Sequence, residues 1–236
     1  MNLWDEKAKT YARFNEKLTY IQEQSFKKFK EFNISFVNKN ILDIGCGTGI
    51  WTLHLAKFAK NIIALDSSKN MLEFLNKDAK NLKLNNINTI NLDFESFCKK
   101  NKNLHFDIAF ISMSPALDNE KAFEYFVSFG DIKIYIGWDS FRRSDFLESI
   151  YKHFNTKGKK LGNDNLEKFL NANNIAFEKI IFDEIRLVKR SKEEAIENAA
   201  WHLKMNNLNV DENELKKLIK MDIEERVSSK IKLIIF

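Results

Sequence analysis

Seven glycines serve the whole 236-residue chain, and three of them, Gly45, Gly47 and Gly49, share one five-residue window. An even spread, 5 × 7/236, would put about 0.15 there. A chain that otherwise avoids glycine needs it at such a place for positive φ, for close backbone approach to a ligand, or for both. Two carboxylates flank the window. Asp43 lies two residues before the first glycine, and Asp66 lies 17 residues beyond the last. The run Asn40-Ile41-Leu42-Asp43-Ile44 reads as a buried strand, and Ile50 to Phe58 carries apolar residues at helical spacing. The glycines therefore join a strand to a helix N-terminus, where backbone N–H groups and the helix dipole receive an anionic group. Asn61-Ile62-Ile63-Ala64-Leu65 is a second strand ending in Asp66, whose carboxylate is placed to accept hydrogen bonds from a ribose diol. The spacing is G-x-G-x-G, and Ile50 stands where a dinucleotide fingerprint has its third glycine. Asp43 would repel a pyrophosphate and suits a ligand that carries an ammonium and a sulfonium.

Ile41-Leu42-Asp43-Ile44-Gly45-Cys46-Gly47-Thr48-Gly49 resembles the first motif of class I S-adenosylmethionine-dependent methyltransferases. Asp66-Ser67-Ser68-Lys69-Asn70-Met71-Leu72 is similar to their second-strand signature, Asn91-Leu92-Asp93-Phe94 to the acidic motif after the third strand, and Phe106-Asp107-Ile108-Ala109-Phe110-Ile111 to the fourth strand. The four occur in order over residues 38–115. Trp4-Asp5 and Tyr11-Ala12 resemble elements of the subgroup that acts on small molecules. The resemblance implies a Rossmann-like α/β fold: a seven-stranded, mostly parallel sheet, the last strand antiparallel, with helices on both faces. It implies S-adenosylmethionine as cofactor. The Gly45–Gly49 loop would pack on the methionine part, Asp43 would hold the ammonium, and Asp66 the ribose hydroxyls. Met71 would wall the adenine, Asp93 would accept from its amino group, and Phe94 would lie beside the ring. Cys46, Ser67 and Ser112 complete the implied cofactor set. Plainer readings stand beside these: Asp66 as a helix cap, Asp93 as a turn or cap residue, Met71 and Phe94 as core.

The elements that must position these residues follow from periodicity. Residues 1–36 form an N-terminal helical segment, with Tyr11 either lining the transfer chamber or packing in the core. Residues 38–188 form the cofactor-binding core, with a helix over 68–84 and strands over 87–92 and 105–112. Ser112-Met113-Ser114 leads into Pro115, the one proline of the chain. Its fixed φ makes a rigid turn at the carboxyl end of a parallel strand, where open α/β sheets bind ligands. A strand over 132–138 ends at Trp138, and Asp139-Ser140 either faces the site or caps a helix over 141–155. A helix over 163–173 and a strand over 175–188 follow. Ser191 and Glu194 form a capping box that opens a helix over 191–206, and Asp211 to Glu214 repeats the signal for a helix over 211–227. Residues 189–228 thus read as a helical insertion able to act as a lid, with the last strand over 229–236, all within a single 1–236 domain.

Substrate contacts are expected from Ser114, Trp138 and Trp201, aromatic surfaces suited to a planar or apolar small molecule. His202 is the best-placed acid–base candidate and Tyr11 the next, against the plainer reading of His202 as surface or core. The turn Ser112-Met113-Ser114-Pro115 lacks the Asn-Pro-Pro-Tyr that the family uses on base or glutamine amino groups, and the Pro-Cys of cytosine-C5 enzymes is also missing.

Composition sets the outer bounds. Hydrophobic residues make 44% and charged residues 30%, a balance that builds a core and excludes disorder as the main state. The 38 basic and 33 acidic residues give +5, spread as scattered lysines rather than a basic stripe, which points away from nucleic acid. No apolar run reaches the length of a membrane span, and Met1 to Lys7 lacks the pattern of a secretory signal. Cys46 and Cys98 build neither a disulfide framework nor a zinc site, so no metal is expected and a cytoplasmic location is. The expected activity is in-line methyl transfer to a small-molecule acceptor. RNA or protein acceptors, a nicotinamide-dependent oxidoreductase and a non-catalytic cofactor-binding module remain the competing readings.

Overall fold

The computed structural model describes residues 3–158 and 162–236. Seven strands form one sheet: β1 (Asn40–Ile44), β2 (Asn61–Asp66), β3 (Ile87–Asn91), β4 (Ile108–Ser112), β5 (Ile132–Ser144), β6 (Glu178–Arg190) and β7 (Ile223–Ile235). Their order is β3-β2-β1-β4-β5-β7-β6. The pairs β3/β2, β2/β1, β1/β4 and β4/β5 are parallel. Lys133 and Phe236 exchange both backbone hydrogen bonds (2.8 and 3.1 Å), the signature of an antiparallel pair between β5 and β7. The expected Rossmann-like, mostly parallel sheet with an antiparallel last strand is therefore present. The order reverses beside β1, which places a ligand crevice at the carboxyl ends of β1 and β4.

Side-chain alternation along β1 dresses both faces of the sheet. Leu42 and Ile44 point into a core made with Phe94, Phe97, Ala109, Ile111 and Phe126. These belong in part to helices α5 (Phe94–Lys100) and α6 (Glu120–Ser128), counted after α1 (Leu3–Lys7), α2 (Tyr20–Glu31), α3 (Thr52–Leu55) and α4 (Lys69–Asn81). Asp43 points the other way. In register with Phe110 of β4, it faces the side on which Trp51 lies 5.2 Å from Phe110 and Phe26 of α2 lies 5.8 Å from Trp51.

The chain divides into two compact units. The first comprises the chain up to Gly137, Asp164–Ile180 and Lys232–Phe236, and the second comprises Trp138–Asn163 and Ile181–Ile231. The boundary reflects corrections to three strands. β5 runs on to Ser144 instead of stopping near 138, because Ser140 to Ser144 continue as strand. The next helix, α7 (Asp145–His153), takes its cap from the Ser144 hydroxyl, which accepts from the Leu147 N–H at 3.1 Å, in place of Asp139 or Ser140. β7 starts at Ile223, six residues before the expected 229, and α10 (Glu212–Leu218) is correspondingly shorter than 211–227. Glu225, Val227 and Ser229 alternate inward and are buried, so the charged letters concealed a strand. β6 likewise spans 178–190 in place of 175–188. α8 (Asn165–Ala172) and α9 (Lys192–Met205) fall inside their expected spans, and the Ser191–Glu194 capping box is present. In the second unit α9 and α10 bury Ala195, Ala199, Leu203, Leu215 and Ile219 with Ile150 of α7. Among the described residues no helix is long and apolar enough to cross a membrane.

Candidate cofactor site

The turn after β1 is held from beneath. Gly45 and Cys46 both donate to the Leu65 carbonyl at 2.7 and 3.0 Å, which ties the loop to the end of β2. Gly45, Gly47 and Gly49 all have positive φ (68°, 56° and 84°), so the conformation alone favours glycine. Their surroundings differ. A Cβ on Gly45 would lie 2.0 Å from the Ser114 hydroxyl, and one on Gly49 would lie 2.2 Å from Leu75. A Cβ on Gly47 would meet nothing within 4 Å. Gly45 and Gly49 lack side chains because the protein packs against them, whereas Gly47 borders open space.

Acidic groups surround that space. Asp66 accepts the Gly47 N–H and the Ser68 N–H, each at 2.8 Å, one on each carboxylate oxygen. A carboxylate has about four lone-pair sites, and with the Ser67 amide also bonding it roughly one stays available. Asp43 is buried at 2% exposure and accepts a 2.6 Å hydrogen bond from Thr52 of α3. Burial pushes its carboxyl up to about 7, Thr52 opposing and Asp66 reinforcing the shift. Burial also raises Asp66, partly offset by the Ser68, Gly47 and Ser67 amides, with Asp5 adding to the rise. The Cys46 thiol is lifted by burial and by both aspartates, which makes it inert. No lysine or arginine forms an ion pair with Asp43 or Asp66 among the described residues. Uncompensated carboxylates around an open backbone cradle match a cationic ligand and oppose an anionic one.

The N-terminal segment is fastened across the same loop. The Ser68 hydroxyl donates to Asp5 at 2.6 Å, and the Asn70 amide donates to the Asp5 carbonyl at 3.0 Å. The Thr48 hydroxyl donates to the Ala12 carbonyl at 2.7 Å, and Gln22 reaches the Ile50 carbonyl at 3.1 Å. Arg13 binds Asp78 of α4 at 2.7 Å and stacks 4.1 Å over Phe74. These contacts bring Tyr11 against Trp4, with ring centroids 6.4 Å apart, and close enough to Asp66 for that charge to raise its phenol, after the larger effect of burial. Thr48 and Thr52 were not anticipated as site residues, although a hydroxyl one turn into the helix after a glycine loop is a legible signal.

The remaining candidates divide. Ser112 ends β4, half-buried, and Ser114 packs on Gly45 as just described. Met113 between them has φ of 52°, strain of the kind that clusters at functional turns. Ser67 lies beside Asp66 in the turn before α4. Met71 is buried at 2% in the first turn of α4, where its N–H is received by the Ser68 cap. Asp93 is the cap of α5, accepting the Ser96 N–H at 2.8 Å; the Ser96 hydroxyl first, and then this backbone bond, lower its carboxyl. Phe94, the first residue of α5, is buried at 5% with its ring 6.3 Å from Phe129. Trp138, Trp201 and His202 belong to the second unit.

Residues 41–129 match the model of a family described as a methyltransferase domain. The chain is 40% identical over 85 residues to the ribosomal RNA small subunit methyltransferase A of Wigglesworthia glossinidia brevipalpis, covering 30% of this chain and 32% of that one. It thus spans about a third of that relative's length, and 23% of the corresponding protein of Mesomycoplasma hyopneumoniae strain 232. Among solved structures, the YcgJ protein of Bacillus subtilis superposes with a TM-score of 0.53 at 15% identity, covering 90% of this chain and 98% of its own. A precorrin 8w decarboxylase from Methanobacterium thermoautotrophicum gives 0.52 at 14% identity over 96% of both chains. At such identities the likeness carries the fold.

Proposed function

We propose that this chain, whose residues 41–129 match the model of a methyltransferase domain, binds S-adenosylmethionine at the Gly45–Gly49 loop and transfers its methyl group to a small-molecule acceptor. The observation that carries the reading is the open space above Gly47, whose N–H Asp66 accepts, with Asp43 buried near Asp66 and no basic partner on either carboxylate among the described residues. The residues present fit the cofactor: a backbone surface for the amino-acid end, Asp43 beneath it for the ammonium, and a free lone pair on Asp66 for the ribose hydroxyls. Asp93, capping α5, is offered to an adenine amino group. Ser67, Met71 and Ser112 line the approach.

When bound, the sulfonium supplies both the methyl group and a good leaving group, so the hard chemistry belongs to the cofactor. The protein's task is positioning and exclusion of water. Alignment of two reactants can lower a barrier by about 7–11 kcal/mol without any base. The N-terminal segment, fixed by Asp5, Ala12 and Arg13, shields the loop from solvent. Tyr11 keeps its proton, since burial and Asp66 both disfavour the phenolate, and acts as a hydrogen-bond donor and wall rather than a base. Ser114 is the chamber residue nearest the loop.

A small acceptor is favoured by scattered lysines and by Ser112-Met113-Ser114-Pro115 at the end of β4. The local likeness to ribosomal RNA methyltransferases favours RNA as a second reading. Calorimetry with S-adenosylhomocysteine tests the core claim: micromolar binding that weakens in Asp66→Ala is expected, and no heat in the parent chain removes it. Incubation of a cell extract with methyl-labelled cofactor then separates the acceptors. Label in a small organic product is expected, and label that ribonuclease releases from RNA would replace that acceptor.

A further inference from the structure

The strand order ends at β6, so no strand pairs with its outer edge among the described residues. Such an edge is a row of unmatched N–H and C=O groups that another chain can extend, and proteins ordinarily blunt it with a short strand or a proline. β6 is 13 residues long and contains no proline. Its alternation presents two different faces. Phe182 and Glu184 point inward and are buried, and Glu184 accepts from the Ser229 hydroxyl of β7 at 3.3 Å. Asp183, Ile185, Leu187 and Lys189 point outward. Ile185 and Leu187 are 63% and 65% exposed, the most exposed large apolar side chains of any strand described. The charges that bracket them are held loosely by β7. Asp183 lies 3.6 Å from Lys230 and Lys189 lies 3.8 Å from Glu224, all four exposed, and pairs of that kind contribute little.

The outward residues run acid, apolar, apolar, base. Laid antiparallel to a copy of itself, with the two Arg186 residues opposite one another across a two-fold axis, the strand sets each residue against the one equally far beyond Arg186. Ile185 then faces Leu187 of the second copy, and Asp183 faces its Lys189, each contact occurring twice. Moving the axis to Ile185 would set Asp183 against Leu187, and moving it to Leu187 would set Ile185 against Lys189. A single register therefore matches both the apolar and the charged positions, and cross-strand matching is what fixes register. Its one like-charge contact, Arg186 against Arg186 on the other face, is flanked by both Glu184 carboxylates, each 3.8 Å from the arginine of its own strand. Acids and bases alternate here, as a self-complementary surface requires, whereas a nucleic acid would require one sign. We propose that β6 pairs with β6 of a second copy of this chain in this register, making a two-fold dimer whose sheet continues through the interface. Every residue invoked lies in the second unit, so the proposal stands apart from the cofactor reading.

Sedimentation equilibrium and light scattering on the full chain test it. A reversible dimer is expected, and Ile185→Lys should raise its dissociation constant tenfold or more. Asp183→Lys and Lys189→Asp should each weaken the dimer as strongly, because each sets like charges opposite one another twice. Mixing these two variants in equal amounts should restore dimerisation, because every facing pair is then again opposite in sign. Circular dichroism melts should match the parent within a few degrees, and S-adenosylhomocysteine affinity should not change, which separates loss of pairing from loss of fold or of the cofactor site. A parent chain that is monomeric at its highest soluble concentration overturns the proposal, even if this face captures RNA or another protein. So does a dimer that Ile185→Lys leaves intact, or a mixture of the two charge variants that stays monomeric.

Discussion

The two ends of the parallel strands treat the same residue type in opposite ways. At the amino end, Asp107 accepts the Asn40 N–H at 2.7 Å and the Lys39 ammonium at 2.9 Å. Those bonds lower its carboxyl, the backbone donor contributing most. At the carboxyl end, Asp43 and Asp66 have hydroxyl or amide donors but no cation, and burial raises both. The amino end is complete as folded and serves stability. The carboxyl end is left electrostatically unfinished, and a cationic ligand would finish it. A carboxylate is informative about function when burial and missing counter-charge agree, not merely when it sits in a motif.

That contrast can be broken most sharply at the glycines. Gly45→Ala should cost about 3 kcal/mol, from positive φ together with collision against Ser114. Gly47→Ala should cost only about 1 kcal/mol, yet weaken S-adenosylhomocysteine tenfold or more, because its methyl enters open space. Denaturant melts and calorimetry on the pair check this, and equal effects on both quantities would dissolve the distinction. Next comes Asp66→Ala, expected to weaken the same ligand roughly 30–100-fold, about 2–3 kcal/mol.

Protonation distinguishes the two ends by sign. Asp43 rises from 3.8 to about 7 on folding, so the folded state holds an extra proton between those values, and stability falls as pH rises through that window. Asp107 is shifted down, so its contribution is present above its unfolded value and is lost as pH falls through the folded one. Asp43→Asn should flatten the stability profile between about pH 4 and 7, and binding of a cationic ligand to the parent chain near pH 6 should release protons, read by calorimetry in buffers of different ionisation enthalpy. The smallest effect belongs to Asp107→Asn: about 1 kcal/mol of stability, with ligand affinity unchanged within twofold. A large loss of affinity there would mean that the two ends are coupled.

The sequence by itself determined the parallel half of the sheet and the loop that matters. Glycine placement, apolar β-branched runs, Asp43 within β1 and Asp66 at the end of β2 are local signals, legible because each arises within a few residues. The capping box at Ser191 was legible for the same reason. Tertiary structure alone decided what side-chain letters could not state. Phe94 and Asp93 are neighbours in one motif, but helix α5 starts between them, sending the ring into the core and leaving the carboxylate outside. β7 begins amid Glu224, Glu225 and Arg226, where charge hid a strand whose inward Glu225 is acceptable only because Arg190 and Ser144, distant in sequence, meet it. The open space over Gly47 and the occupied space over Gly45 differ only in what long-range packing brings above them. Local preference fixes conformation over a few residues. Burial and electrostatic partnership are sums over the whole fold, and they decide which acids remain free to bind.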